Sequence, residues 1–175
     1  MMFRKATKED IAAVSKIYAA THEAEERGEL TIGWVRDVYP TTETAEAALR
    51  RGDLFVGTND TAVFGTAVIN QRQLAEYENS HWEYAAAERE IMVLHTLVID
   101  PELAGRGYGK RFVEFYEGYA LSHGCRCLRM DTQAINKRAR AMYKKLGYKE
   151  IDIVPCSFNG INEIQLVLLE KKISV

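Results

Sequence analysis

Cysteine is scarce in this sequence, which excludes a disulfide framework and weighs against a zinc site. The three cysteines, Cys125, Cys127 and Cys156, cannot all pair, and Cys125 and Cys127 form C-x-C rather than C-x-x-C. We therefore expect reduced, partly buried thiols and no metal. Residues two apart in a strand share one face, so Cys125 and Cys127 are expected to point the same way.

Long apolar runs are also missing. Runs such as Ile91–Leu94 and Leu166–Leu169 contain four residues, whereas a membrane span needs about 20. No apolar stretch of the signal-peptide kind follows Met1–Lys5. We therefore expect a cytoplasmic protein without a membrane partner.

Neither sign of charge dominates. The chain has 23 Lys and Arg against 25 Asp and Glu, a formal net charge of −2, which argues against binding nucleic acid by bulk charge. With 175 residues, 47% hydrophobic and 27% charged, the composition is that of a globular protein and predicts a single domain over residues 1–175.

The first half of the chain predicts a strand, two helices and a hairpin, followed by a long connection. Thr7 and Asp10 indicate a helix start, and Gly28 indicates its end. The predicted elements are a strand at Phe3–Ala6, helices at 10–28 and 42–49, strands at Asp53–Thr58 and Ala62–Asn70 around Asn59-Asp60, and an irregular connection over 71–90.

The second half predicts strands at Ile91–Ile99 and Cys125–Thr132, each followed by a helix, and a closing hairpin. The helices are expected from the glycine-rich turn to about His123 and over Asn136–Leu146, and the hairpin strands at Tyr148–Pro155 and Ile161–Glu170 around Asn159-Gly160. The order of elements predicts an α/β fold built on a mixed sheet.

A glycine-rich turn follows the apolar strand Ile91–Ile99 and precedes a helix. Gly105, Gly107 and Gly109 would let a ligand approach the backbone amides, and the helix start favours an anion, such as phosphate. Arg106 and Lys110 add positive charge. The spacing fits neither a P-loop, since Lys110 is followed by Arg, nor the dinucleotide fingerprint G-x-G-x-x-G.

These motifs resemble the GNAT superfamily of N-acetyltransferases. Ala104-Gly-Arg-Gly-Tyr-Gly109 is similar to its Q/R-x-x-G-x-G/A loop and departs from it at Ala104, while Leu97-Val-Ile-Asp-Pro101 matches the preceding strand. Asn136-x-x-Ala139-x-x-x-Tyr143-x-x-x-Gly147-Tyr148 follows a second signature of the family. The resemblance covers residues 90–155 well, and implies a mostly antiparallel sheet of six to seven strands flanked by helices.

The resemblance implies acetyl-CoA as co-substrate and direct attack by a primary amine, through a tetrahedral intermediate. The Val98 amide would polarise the thioester, and the loop amides would hold the pyrophosphate. The implied cofactor-binding residues are Leu97, Val98, Ile99, Ala104, Gly105, Arg106, Gly107, Tyr108, Gly109, Lys110, Asn136, Arg138 and Tyr143. Asn136 also suits a plain helix N-cap.

Three residues are candidates for proton transfer. Tyr143 would protonate the departing thiolate, although its helical spacing also suits a core aromatic. His95, expected to share a strand face with Leu97 and Ile99, is either the base or a buried structural residue, and Glu90 is the alternative base. The remaining histidines, His22, His81 and His123, are expected at the surface.

The acceptor is predicted to be a small cationic amine, because acidic and aromatic residues concentrate in the first two helices and the 71–90 connection. The set comprises Glu23, Glu25, Glu26, Glu76, Glu78, Glu83 and Glu88 with Trp34, Tyr77, Trp82 and Tyr84. A solvated acidic face is the alternative explanation. A non-catalytic acyl-CoA sensor with the same fold is the alternative function, and a homodimer is possible.

Overall fold

Seven strands and four helices make up the regular structure of the computed structural model, which describes residues 1–60 and 62–174. Thr61, beside the predicted Asn59-Asp60 turn, and Val175 lie outside the described residues. The strands are β1 (Met2–Lys5), β2 (Leu54–Asn59), β3 (Ala62–Asn70), β4 (Ile91–Ile99), β5 (Cys127–Gln133), β6 (Lys149–Phe158) and β7 (Ile161–Lys172). The helices are α1 (Ile11–Glu26), α2 (Thr42–Arg51), α3 (Tyr108–Ser122) and α4 (Lys137–Lys145).

The strands form one sheet in the order β1-β2-β3-β4-β5-β7-β6. Neighbouring strands are antiparallel, except that β4 and β5 run parallel. Parallel neighbours need a crossover, and α3 supplies it. The predicted mixed, mostly antiparallel sheet of six to seven strands is therefore confirmed.

Side chains on the two faces of the sheet pack against different helices. Leu54 and Val56 of β2 face a cluster with Val14 and Ile17 of α1, whereas Phe55 between them faces α3 in the larger core cluster. This alternation follows from the period of two in a strand. Among the helices of the described residues, none is long and apolar enough to cross a membrane.

The two parallel strands separate part-way along their length. β4 and β5 pair over Ile91–Leu94 and Cys127–Met130, and beyond this point β4 continues to pair with β3 and β5 with β7. The segments 95–99 and 131–133 are therefore not paired with one another, and an opening lies between them at the centre of the sheet.

A bulge in β4 marks the start of this opening. Thr66 pairs with Val98 but Val68 pairs with His95, so β4 holds one more residue than β3 there. Thr96 has a φ of 50°, an unusual conformation for a β-branched residue. The extra residue reverses the alternation of side chains, so the prediction that His95 shares a face with Leu97 and Ile99 is wrong.

Two other predictions from local spacing are also wrong. His22 is only 5% exposed, and its Nε2 lies 2.9 Å from the Pro40 carbonyl oxygen, so it is not a surface residue. Cys125 precedes β5 and belongs to the cluster under α3, whereas Cys127 packs on the opposite face. The strand begins only at Cys127, which removes the basis for placing both cysteines on one side. All three thiols are free, as predicted.

Candidate active site

A long groove of about 1030 Å³ runs past the start of α3 and along α4 to Leu97–Ile99 of β4. Twelve of the predicted cofactor-binding residues line this long groove, and Arg106 alone of that set does not. Those that line it are Leu97, Val98, Ile99, Ala104, Gly105, Gly107, Tyr108, Gly109, Lys110, Asn136, Arg138 and Tyr143.

The glycine-rich turn leaves space for a ligand. Gly105 and Gly107 have φ values of 80° and 82°, which non-glycine residues rarely adopt, and a Cβ on either would meet nothing within 4 Å. At Gly109 a Cβ would lie 3.2 Å from the Met142 Sδ, so this glycine lets α3 approach α4 closely. The first two glycines therefore shape the turn, and the third one positions the helices.

Six consecutive backbone amides in this turn are free to bind a ligand. Within residues 1–60 and 62–174, the N–H groups of 105–110 donate to no acceptor, and the regular pattern resumes when the Arg111 amide donates to the Gly107 carbonyl at 3.1 Å. Amides at the start of a 15-residue helix also lie at the positive end of its dipole. The turn is thus suited to a phosphate group.

The charges lining the long groove favour an anion as well. Lys110, Lys137, Arg138 and Lys145 line it, against one carboxylate, Glu29. The predicted contribution of the Arg106 side chain has no support from its position, since it is exposed and does not line the groove.

A side pocket of about 100 Å³ joins the inner end of the long groove. Its walls come from the loop between α1 and α2, from β4 and β5 where they separate, from α4 and from the β6–β7 hairpin. Leu97, Asn136, Ala139 and Tyr143 line both cavities, so the long groove and the side pocket meet there.

Tyr143 lies at this junction. It is only 6% exposed, and its burial raises the pKa of the phenol above its ordinary value, which keeps it protonated at neutral pH. The hydroxyl has no hydrogen-bond partner within the described part of the chain, so its proton is available to a ligand. Asn136 caps α4, its Oδ1 accepting from the Ala139 amide at 3.1 Å, as the N-cap interpretation predicted.

His95 lines the side pocket, with its Nε2 3.2 Å from the Asn70 Oδ1. Because an amide oxygen can only accept, Nε2 donates in this contact. Burial lowers the pKa of His95 to about 4, so the ring is neutral at pH 7.

Among the described residues, Asp131 is the one carboxylate that lines the side pocket, and its place there was not predicted from the sequence. Tyr77 donates its hydroxyl proton to the Asp131 Oδ2 at 2.8 Å, and burial raises the pKa of this carboxyl to about 7. Trp34, Tyr39 and Phe158 form aromatic walls of the same pocket. Of the four lining residues Asp131, Trp34, Tyr39 and Phe158, the sequence pointed only to Trp34, because composition marks segments rich in acidic and aromatic residues but not isolated residues elsewhere.

Glu90 is not brought to this site. Its side chain is exposed and accepts from the Ala87 amide at 3.0 Å, at the far end of β4 from the opening.

The predicted acidic wall is also absent from the side pocket. Glu25 accepts from the amides of Ile32 and Gly33, Glu26 pairs with Arg36, and Glu83 pairs with Lys149. The 71–90 connection does not line the pocket but packs behind β5 and β7, where Trp82 stacks on the Arg129 guanidinium at 3.9 Å.

Comparison with known proteins places these features in a family. Streptothricin acetyltransferase of Escherichia coli is 33% identical over 90 residues, 51% of this chain and 48% of that protein. A solved GNAT-family acetyltransferase from Streptococcus agalactiae has a TM-score of 0.81 at 21% identity, covering 99% of this chain and 96% of that one. An acetyltransferase from Salmonella typhimurium, solved with its cofactor acetyl-CoA, has a TM-score of 0.70 at 16% identity, covering 100% and 95%.

The curated relatives are matched over only part of their length, between 33% and 48%. The structural similarities confirm the predicted α/β GNAT fold. The family model for the acetyltransferase (GNAT) family matches residues 13–148, which includes the glycine-rich turn, β4, β5 and Tyr143. The chain therefore belongs to the GNAT family of acetyltransferases.

Proposed function

We propose that this protein is an N-acetyltransferase that transfers an acetyl group from acetyl-CoA directly to a small cationic amine. The observation that carries the proposal is that two cavities meet at Tyr143, whose hydroxyl has no hydrogen-bond partner among the described residues. The long groove has the amides and cations for an anionic co-substrate, the side pocket is sized for a slender acceptor, and Tyr143 lies where they meet.

The chain's residues fit acetyl-CoA, which when bound would supply an activated acetyl thioester. The amides of 105–110 would hold the pyrophosphate, with Lys110 and Arg138 nearby. On the side of β4 left unpaired beyond Leu94, the backbone of Leu97 and Ile99 would hydrogen-bond the pantetheine arm and polarise the thioester carbonyl. The predicted role of the Val98 amide is not supported, because Val98 pairs with Thr66 of β3 in the register that brings the Asp100 N–H to the Phe64 carbonyl at 2.9 Å. Ala104 offers no side-chain donor, so the backbone carries most of this binding.

Tyr143 would act as the general acid. A phenol that stays protonated can donate to a thiolate of lower basicity as the C–S bond breaks. In the described residues no cysteine lines either cavity, which favours direct attack over a covalent acyl-enzyme.

The amine acceptor is supported by the pocket and by a relative. The side pocket has aromatic walls and a carboxylate, which suit a cation. One relative, from E. coli, is named a streptothricin acetyltransferase, after the molecule that it acetylates. A cytoplasmic location, a single domain and a homodimer stay predictions from the sequence.

His95 is proposed to shape the side pocket rather than accept the amine proton. A pKa of about 4 makes the protonated ring costly at neutral pH. We expect His95→Gln to retain the acidic limb of the pH–rate profile of kcat/KM. Disappearance of this limb in the variant, with kcat/KM otherwise measurable, would identify His95 as the base.

The proposal is tested by measuring CoA thiol release from acetyl-CoA with a panel of amines, amino acids, polyamines and peptides. We expect release that depends on a primary amine and yields its acetamide, identified by mass spectrometry. Tight acetyl-CoA binding without release for any acceptor would favour the non-catalytic sensor instead. Absence of acetyl-CoA binding would contradict both functions.

A further inference from the structure

Asp131 is a carboxylate that lines the side pocket with no cation beside it among the described residues. Among the described residues that line the side pocket there is no lysine or arginine, and Asp131 is the only acid. The Tyr77 hydroxyl is its one hydrogen-bond donor in that part of the chain, and it occupies Oδ2. Asp131 is half-buried, and a carboxylate partly removed from water is stabilised by a nearby cation. Asp131 could therefore bind a positively charged ligand.

The groups around Asp131 do not supply that charge. Its own strand carries Arg129, but this guanidinium is engaged by Glu170 at 3.1 Å, and neutral His95 faces the pocket from β4. The other titratable groups near Asp131 are phenols, a thiol and an acid: Tyr39 from the α1–α2 loop, Tyr77 and Glu76 from the 71–90 connection, Tyr143 from α4 and Cys156 from β6.

The walls around Asp131 are also suited to a cation. Trp34 and Tyr39 pack edge to face with ring centroids 5.9 Å apart, and both line the side pocket with Asp131. The Tyr39 hydroxyl and the Thr96 hydroxyl hydrogen-bond, which fixes the aromatic loop to the bulge in β4. Aromatic faces attract cations, most strongly where water is excluded.

We propose that Asp131 binds the ammonium group of the acceptor and accepts its proton before acetyl transfer. The inference rests on the proposed function and names the residue and the ionic form of substrate that this site uses. The ligand class is a primary alkylammonium whose charged end fits a narrow pocket, and Asp131 is the residue that distinguishes it from a neutral alcohol of the same shape.

The protons balance through two residues. One N–H bond of the ammonium breaks and an O–H bond forms on Asp131, which leaves a neutral amine whose lone pair attacks the thioester carbon. The C–S bond breaks, Tyr143 gives its proton to sulfur, and a second proton from the attacking nitrogen restores the phenol. Asp131 then releases its proton to water, so each turnover converts an ammonium ion and a thioester into an amide, a thiol and one proton.

The proposal predicts a particular pH profile. The carboxyl has a pKa of about 7, so kcat/KM should fall about tenfold per pH unit below 7. Between pH 7 and about 10, the ordinary pKa of an alkylammonium, kcat/KM should be level, because the ammonium ion is itself the substrate. In Asp131→Asn the level region should disappear, kcat/KM should keep rising to about pH 10, and its value at pH 7.5 should fall by about 100-fold.

Binding can be tested without turnover, by using n-butylammonium chloride as the probe and n-butanol as its neutral counterpart. We expect wild-type protein to bind n-butylammonium more weakly as the pH falls below 7, and the 13C resonance of the Asp131 carboxyl to show a lower pKa when the probe is bound. Asp131→Asn should bind n-butylammonium at least tenfold more weakly at pH 8. Asp152→Asn is the matched control, because it removes a carboxylate that lines neither cavity. It should change the affinity neither for n-butylammonium nor for n-butanol.

Equal affinity of wild type and Asp131→Asn for n-butylammonium, or an Asp131 pKa that the probe does not move, would overturn the proposal. The wild-type 13C titration tests the role of Asp131 even when the variant fails to fold. The two hypotheses fail separately: cation binding that needs Asp131, without thiol release from acetyl-CoA, would contradict the proposed function alone. Amine acetylation with an unchanged Asp131→Asn profile would contradict only the role of Asp131.

Discussion

Replacing Tyr143 by Phe is expected to lower kcat for thiol release from acetyl-CoA by about 100-fold or more, the usual range for loss of general acid catalysis. Tyr143 lies where the long groove and the side pocket meet. Its hydroxyl stays protonated because burial raises its pKa, and within residues 1–60 and 62–174 it has no hydrogen-bond partner. The dissociation constant for acetyl-CoA should change little, since the proposed binding rests mostly on the backbone amides of the glycine-rich turn.

Tyr148→Phe is the matched control for this experiment. Tyr148 packs against Tyr143 with ring centroids 6.0 Å apart but lines neither cavity, and its buried hydroxyl has no partner among the described residues. The control should keep kcat near the wild-type value. Equal kcat for wild type and Tyr143→Phe would remove Tyr143 from the mechanism.

Replacing Glu170 by Ala is expected to lower the free energy of unfolding by about 3–5 kcal/mol, the range for breaking a buried ion pair. Glu170 is fully buried and accepts from the Arg129 guanidinium at 3.1 Å and from the Glu83 and Tyr84 amides at 2.9 and 3.2 Å. Its removal leaves Arg129, itself 6% exposed, without its carboxylate. Urea denaturation followed by circular dichroism measures the change.

Glu26→Ala is the control for the ion pair. Glu26 also binds an arginine, Arg36, with a contact of 2.6 Å, but both side chains are exposed to water. Solvent screening makes such pairs weak, so this variant should be far less destabilised than Glu170→Ala. Similar midpoints for the two variants would show that the buried pair is not a major source of stability.

The Arg129–Glu170 ion pair, which is expected to stabilise the fold, also lies behind the side pocket. Through the Glu83 and Tyr84 amides, Glu170 holds the end of the 71–90 connection against the sheet, and Tyr77 in the same connection donates to Asp131. The connection predicted as irregular is thus a structural support for the side pocket, not one of its walls.

Local patterns in the sequence were sufficient to predict the residues of the long groove but not those of the side pocket. Gly105, Gly107 and Asn136 act through backbone conformation and capping, which depend on neighbours along the chain, and the structure places all three as predicted. His95 was placed on the wrong face because the bulge at Thr96 inserts one residue, and a bulge has no signature in strand alternation.

Asp131 and its surroundings could not be predicted for a different reason. In the sequence it is the first of three consecutive polar residues, Asp131–Gln133, at the end of a predicted strand, with nothing nearby along the chain to mark it. Its importance comes from the separation of β4 and β5 and from Tyr39 and Tyr77, which are distant along the chain. Such contacts belong to tertiary structure, and a single sequence carries no record of them.

The proposed function requires the free amides of the glycine-rich turn to bind acetyl-CoA in the long groove. The most direct test is titration of 15N-labelled protein with acetyl-CoA, observing the backbone amide resonances. We predict saturable shifts that are largest for residues 105–110, and smaller ones for Leu97–Ile99 and Asn136. Unchanged resonances for 105–110 at saturating acetyl-CoA, or shifts confined to another surface, would contradict the account.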